Sequence, residues 1–324
     1  MITAPHSLHF LRFRLAWVLF CLLMWGAASS LSAWDWPVKD PSLAADFASD
    51  RDGSFLPGVI LKSSDALVRS IHGGELVFFV AGQRRDHRGF PGTPGGTLVI
   101  QHDGGFRSVY HNLQADSVRD FAAKVAVTEY KVRQNEIVGM MPVGSDSIPD
   151  NLFFQLIDNR YANAVNPMIV LPRLSDERPP AITAAEILVE GSTKRIPLQD
   201  RYETEQPNFQ LFVQVRDGYG LKGGHAASTV GLPQRIRILL NGVVSYDSSK
   251  LALLMKSDTS RELILSRNPF GSFAAIHPAD NMINVGSFTL VDGVNRLEIR
   301  ATDLQGNRSS VSYRIIKPPK PAQS

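Results

Sequence analysis

Cysteine is almost absent from this 324-residue chain: Cys21 is the only one. It sits inside an apolar N-terminal run, so the rest of the chain has no disulfide and no thiolate for a zinc ion. Phe20 precedes it, where a lipid-attachment signal calls for a small residue, so lipidation is not expected. A strong charge of either sign is also missing. Lys and Arg number 34 against 31 Asp and Glu, a net +3, too weak a balance to argue for nucleic acid as a partner. No solenoid-type repeat is present.

The apolar run Leu15–Trp25 is shorter than the roughly 20 residues of a membrane span. Arg12 and Arg14 precede it, and small residues follow from Gly26 to Ala33. This order fits a secretory signal over residues 1–33, cut near Ser32 or Ala33. The expectation is an exported chain, in the periplasm or cell envelope, with no stable membrane span once the signal is removed.

From residue 55 the chain reads as short strands punctuated by Gly and Pro, the pattern of an all-β domain. The stretch Gly96–Leu113 stands out as a hairpin: an apolar run at Leu98–Ile100, then Asp103-Gly104-Gly105, then alternation from Phe106 to His111. Asp116–Lys124 reads as a short helix, with Val118, Phe121 and Ala122 on one face, and Val125–Val132 as a strand. Trp34-Asp35-Trp36-Pro37 is expected to pack across a sheet edge. Arg84, Arg85 and Arg88 make the loop 83–96 basic; a solvated loop is the favoured reading, with a surface for phosphates or acidic glycans as the alternative. Residues 174–181, LSDERPPA, are charged, carry two prolines and lack apolar periodicity, which marks a linker.

Residues 182–319 form a second β region. Phe209, Leu211, Val213 and Val215 alternate with polar neighbours, as do Ile236 and Ile238, and Leu297, Ile299 and Ala301. Alternation implies sheets with one buried face, and Asn241-Gly242 signals a hairpin turn. Two such sheets stack as a sandwich of immunoglobulin-like type. Residues 320–324 are expected to be a tail.

Six segments in order resemble a known family. These are Phe55–Ile60 (FLPGVI), Val68–Phe78, Thr97–Leu113, Val132–Gly139, Asp150–Leu156 (DNLFFQL) and Val165-Asn166-Pro167. Over about residues 55–172 the chain resembles the lysostaphin/LytM-type zinc endopeptidases, which cut peptide cross-links of bacterial cell walls. The resemblance implies an all-β fold: a LytM-like β-sheet domain of duplicated-hybrid or barrel-sandwich type over 34–173, followed by the immunoglobulin-like β-sandwich.

It also implies where chemistry would sit. The family's zinc ligands fall on Leu56, Ile60 and Phe153, and its two accessory histidines on Asn112 and Asn151. Leu, Ile and Phe have no lone pair for zinc, and Asn cannot shuttle a proton near neutral pH. His111, one residue before Asn112, is expected on the opposite face of the strand. His102 matches a family histidine that is not a ligand. The expectation is therefore no metal, no cofactor and no catalytic residue, with apolar groups filling the old site. Tyr110, Asn112, Asn151, Arg84, Arg85 and Arg88 are the candidate groove residues.

Some degenerate members of the family bind and activate cell-wall amidases. By that resemblance the function expected is a non-catalytic envelope protein that binds peptidoglycan or regulates a cell-wall hydrolase. An active zinc endopeptidase and a structural or adhesive envelope protein are the alternatives.

Overall fold

The computed structural model describes residues 34–51, 54–82, 95–142, 151–218, 232–254, 263–266, 276–277 and 282–319. The expected signal at 1–33 with Cys21, the basic loop residues Arg84, Arg85 and Arg88, and the tail at 320–324 lie outside them.

The first half is built from β1 (Ser42–Ala45), β2 (Val59–Lys62), β3 (Leu67–Arg69), β4 (Gly74–Val80), β5 (Gly96–Gln101), β6 (Phe106–Leu113), α1 (Ala115–Ala126), β7 (Lys131–Val132), β8 (Ile137–Met140), β9 (Leu152–Asp158) and β10 (Asn163–Val165). Strands β2, β9, β6, β5 and β4 lie side by side, all antiparallel, and β1 pairs with β2. The register is legible as rows across the sheet. Val59, Phe154, Tyr110 and Leu98 form one row, and Ile60, Phe153, His111 and Thr97 form the next. Successive residues of a strand face opposite sides, so the two rows serve different surfaces. The first row is fully buried in the core.

The hairpin between β5 and β6 turns as its sequence predicts. Gly104 and Gly105 take φ of 76° and 82°, a region open to glycine without a Cβ clash. The helix departs from expectation. It runs on to Ala126, and the anticipated strand at Val125–Val132 shrinks to Lys131–Val132. Val118, Phe121, Ala122 and Val125 are all buried and recur at helical spacing, so packing of this stripe outweighs the β preference of Val125. Trp36 packs as expected. It is buried, and its indole Nε1 donates to the Pro172 carbonyl at 2.7 Å.

The second half contains β11 (Ala181–Val189), β12 (Asn208–Arg216), β13 (Arg235–Leu240), β14 (Val243–Leu254), β15 (Met282–Thr289), β16 (Gly293–Thr302) and β17 (Arg308–Lys317). One antiparallel sheet holds β11, β12 and β15; another holds β17, β16, β13 and β14. Ile187, Leu211 and Val213 of the first share a hydrophobic core with Ile238, Leu297, Ile299 and Ile315 of the second. The two inner faces therefore make a β-sandwich. Strand β10 pairs with β14, which carries hydrogen bonding from one half to the other. The segment expected as a linker is tied down along the turn between β16 and β17. Leu174, Asp176 and Pro180 carbonyls accept from Gln305 Nε2, Asn307 Nδ2 and Ser309 Oγ at 2.8, 2.9 and 2.5 Å. The described chain is nearly all β, with one α-helix among the described residues.

Candidate functional site

The row Ile60–Phe153–His111–Thr97 lies on the sheet face away from the core row, and the candidate site is built on it. Leu56, Ile60 and Ala45 form a buried apolar cluster, and Phe153 packs against it. The three positions that the resemblance marks for metal ligands thus meet in one place. Gly58 is what lets them converge. A Cβ there would come within 2.3 Å of the Phe154 carbonyl oxygen and 2.9 Å of the Phe153 ring. Only glycine allows the segment between Leu56 and Ile60 to press so closely on β9.

The two positions matching accessory histidines also meet. Asn112 Nδ2 donates to the Asn151 backbone carbonyl at 2.7 Å and to its Oδ1 at 3.3 Å. Asn112 is buried and has φ of 65°, a left-handed conformation that Asn tolerates better than most residues. It is the extra residue of a bulge: Gly96 pairs with Leu113 and Thr97 with His111, leaving Asn112 without an opposite.

The expected placement of His111 is corrected: it pairs with Phe153 and lies on the site face, and the bulge breaks the alternation with Asn112. Its ring stacks on Phe153 with centroids 5.2 Å apart and planes 17° apart. Nδ1 lies 3.0 Å from Thr97 Oγ1 and Nε2 lies 3.2 Å from Gln155 Oε1. The Gln155 oxygen only accepts, so Nε2 carries the proton and Nδ1 takes the Thr97 hydroxyl. Neither nitrogen has a lone pair left for a metal. Burial lowers the His111 pKa, against a raising hydrogen bond with Gln155, and so favours the neutral ring.

Tyr110 is a second correction. It was expected to line a groove, but it is fully buried. Its place in the core row next to Phe154, ring centroids 5.4 Å apart, explains this. Its hydroxyl accepts from Ile71 N at 3.1 Å and lies 3.0 Å from Ser108 Oγ. His102, also buried, places Nε2 2.7 Å from Ser108 Oγ and donates from Nδ1 to the Gly73 carbonyl at 2.9 Å. A serine beside a histidine has the makings of a nucleophile and base. Ser108 is completely shielded from solvent, so no substrate reaches it. This chain of polar groups fastens the segment 71–73 to the hairpin.

One cluster had no sequence signal. Asp176, Asp217 and Asp303 are buried, with a carboxylate oxygen from each within 4.8 Å of the others. They are far apart in sequence and follow no ligand spacing. Asp303 is occupied by its own turn, accepting from Gly306 N, Asn307 N and Asn307 Nδ2 at 2.7, 2.8 and 2.7 Å.

Comparison with known proteins adds the following. A protein-family profile matches residues 179–316, less than half of the chain. No curated protein matches. Among solved structures, the chain is similar to the solution structure of lysostaphin, at 13% identity and a TM-score of 0.31, covering 86% of this chain and 91% of that one. It is also similar to a chain of the SpoIIQ-SpoIIIAH pore forming complex, at 19% identity and a TM-score of 0.31, covering 44% of this chain and 94% of that one. A second structure of the SpoIIIAH and SpoIIQ complex matches at 19% identity and a TM-score of 0.29, over 42% of this chain and 98% of that one. Among the described residues, no helix is long and apolar enough to cross a membrane.

Proposed function

We propose that this chain is a non-catalytic LytM-like envelope protein that binds peptidoglycan or regulates a cell-wall hydrolase. In this reading residues 1–33 direct export, 34–173 form the degenerate LytM-type domain, 174–181 connect, and 182–319 are an immunoglobulin-like domain that positions it. The protein works without metal or other cofactor and is not a peptidase.

One observation carries the reading. The three positions matched to zinc ligands are Leu56, Ile60 and Phe153, and they pack on one another. A zinc site needs nitrogen, oxygen or sulfur donors around an open position for water, and this cluster offers carbon alone. The nearest imidazole, His111, has both nitrogens engaged. The residues present do not fit the metal. The retained part is the scaffold, with Gly58, the bulge at Asn112 and the Asn112–Asn151 contact still shaping the surface.

The test is co-sedimentation of the purified protein with cell-wall sacculi, together with amidase assays with and without it. Binding to sacculi or a change in amidase rate is the expected result. Near-stoichiometric zinc with cleavage of cell-wall peptides would establish the active endopeptidase instead. No binding and no effect on any hydrolase, with capture of another surface component, would leave a structural or adhesive role.

A further inference from the structure

Strand β4 has an edge that nothing described covers. On one side it pairs with β5 from Glu75 to Val80. On the other it pairs with β7 only at Gly74 and Glu75, and Leu76 N then donates to the Tyr130 carbonyl at 2.9 Å. Beyond Leu76 no strand among the described residues lies against this edge. Val77, Phe78, Phe79 and Val80 are 44%, 51%, 43% and 43% exposed. Successive side chains point to opposite faces, so the strand is apolar and open on both. A strand apolar on both faces is the pattern of one with neighbours all round, and an open apolar edge templates further pairing.

We propose that this edge joins two copies of the chain, β4 of one pairing antiparallel with β4 of the other about a two-fold axis near Phe79. The partner strand must be apolar on both faces and uncharged over the paired stretch. Among described strands β4 alone has four consecutive large apolar residues exposed, so the patch is its own complement, as an isologous contact requires. The bulge between Leu76 and Phe78 confines regular pairing to Phe78 onward. About Phe79, Phe78 of each copy faces Val80 of the other. Such apolar cross-strand pairs are the favourable unit of a sheet. Charge agrees with this arrangement. Glu75 is the only charged residue of β4 and is held by Lys131 at 2.9 Å. In this register each Glu75 lies beyond the paired residues, so no like charges meet. The inference stands apart from the proposed function, since it draws on no residue of the degenerate site.

Sedimentation velocity of the purified protein from about 1 to 100 μM tests it, a range that reads dissociation constants near the micromolar. A concentration-dependent dimer is expected. Phe78→Lys and Phe79→Lys are each expected to raise its dissociation constant by about tenfold or more, which corresponds to about 1.4 kcal/mol, with the circular dichroism spectrum retained. A second readout does not depend on those variants folding. In a Cys21→Ser background, Phe79→Cys is expected to give a disulfide-linked dimer on mild oxidation, while Val127→Cys, on the exposed turn after α1, does not. A monomer across the whole range, a dimer indifferent to both lysines, or equal cross-linking at both cysteines would overturn the proposal.

Discussion

The ring of Phe153 lies between two environments: the Leu56–Ile60 cluster packs on it, and the imidazole of His111 stacks against it at 5.2 Å. The side chains at the matched ligand positions are therefore neighbours in space, and only their chemistry is wrong for zinc. Donors introduced at those positions should create a zinc site. We expect Leu56→His, Ile60→Asp and Phe153→His together to bind zinc, and the native chain to take up none. Without metal the triple variant should lose several kcal/mol of stability, because it buries polar groups in an apolar pocket at about 1–3 kcal/mol each. Zinc in excess should recover part of that, since a ligand bound only by the folded state raises its stability. Calorimetric titration and melting with and without zinc check both points. A native chain that takes up zinc would contradict the argument.

Acid is expected to weaken the first half of the chain. Burial lowers the pKa of His102, against a raising backbone hydrogen bond from Gly73, and burial likewise lowers that of His111. The sign follows from linkage. Both states hold neutral imidazole well above 6.5, so stability there does not depend on these groups. As the pH falls below 6.5 the unfolded chain takes up protons first, and stability drops until the lowered folded values are reached. Urea midpoints should therefore fall between pH 7.5 and 5, before most carboxylates titrate. His102→Gln should flatten that slope by removing one of the two groups. A midpoint that rises toward pH 5 would show the sign to be wrong.

Much of this architecture was legible in the chain. Leu297, Ile299 and Ala301 alternate in sequence and are all buried in β16, because a strand with one wet face enforces period two. The turn at Asp103–Gly105 follows from residues that accept positive φ. What was not legible depends on the third dimension. At the Asn112 bulge Gly95 comes close: a Cβ on Gly95 would meet Asn112 Cα at 2.8 Å. No local pattern announces that approach, and the bulge breaks the alternation between His111 and Asn112. Tyr110 looked like a groove residue because tyrosine often is. Its hydroxyl instead finds partners inside, at Ile71 N and Ser108. The three buried aspartates come from segments more than 40 residues apart, beyond the reach of any spacing rule.

Gly58→Ala should be among the most damaging single substitutions in the first half. The added methyl would sit 2.3 Å from the Phe154 carbonyl oxygen and 2.9 Å from Gln155 Cγ. The carbonyl belongs to a strand paired on both sides and cannot retreat without breaking the ladder. Overpacking of this kind costs about 1–3 kcal/mol, occasionally more. Gly191→Ala is the control for the second half, where a Cβ meets nothing within 4 Å, although its φ of 80° adds some strain. Thermal unfolding of the two variants should separate them clearly, Gly58→Ala being the weaker. Equal melting points would mean that the loop between Leu56 and Ile60 yields easily.

Asn295 is completely buried and ties two turns of the sandwich together. Its Oδ1 accepts from Val291 N and from Asn241 Nδ2, each at 3.0 Å, and its Nδ2 donates to the Val291 carbonyl at 2.7 Å. Asn241 in turn accepts the Arg296 N–H at 2.8 Å. It occupies a left-handed position, φ 54°, in the hairpin turn with Gly242. Asn295→Ala removes the side-chain partner of both the Val291 amide and the Val291 carbonyl, two part-buried hydrogen bonds, at about 1–3 kcal/mol together. Asn241→Gly keeps the turn conformation and removes only the side chain, so its cost should be smaller, near 1 kcal/mol. Because the two side chains share a hydrogen bond, the double variant should cost less than the sum of the singles. Urea unfolding of the four proteins measures this directly. Strict additivity would mean that the contact between the two asparagines contributes nothing and that each acts through its own turn alone.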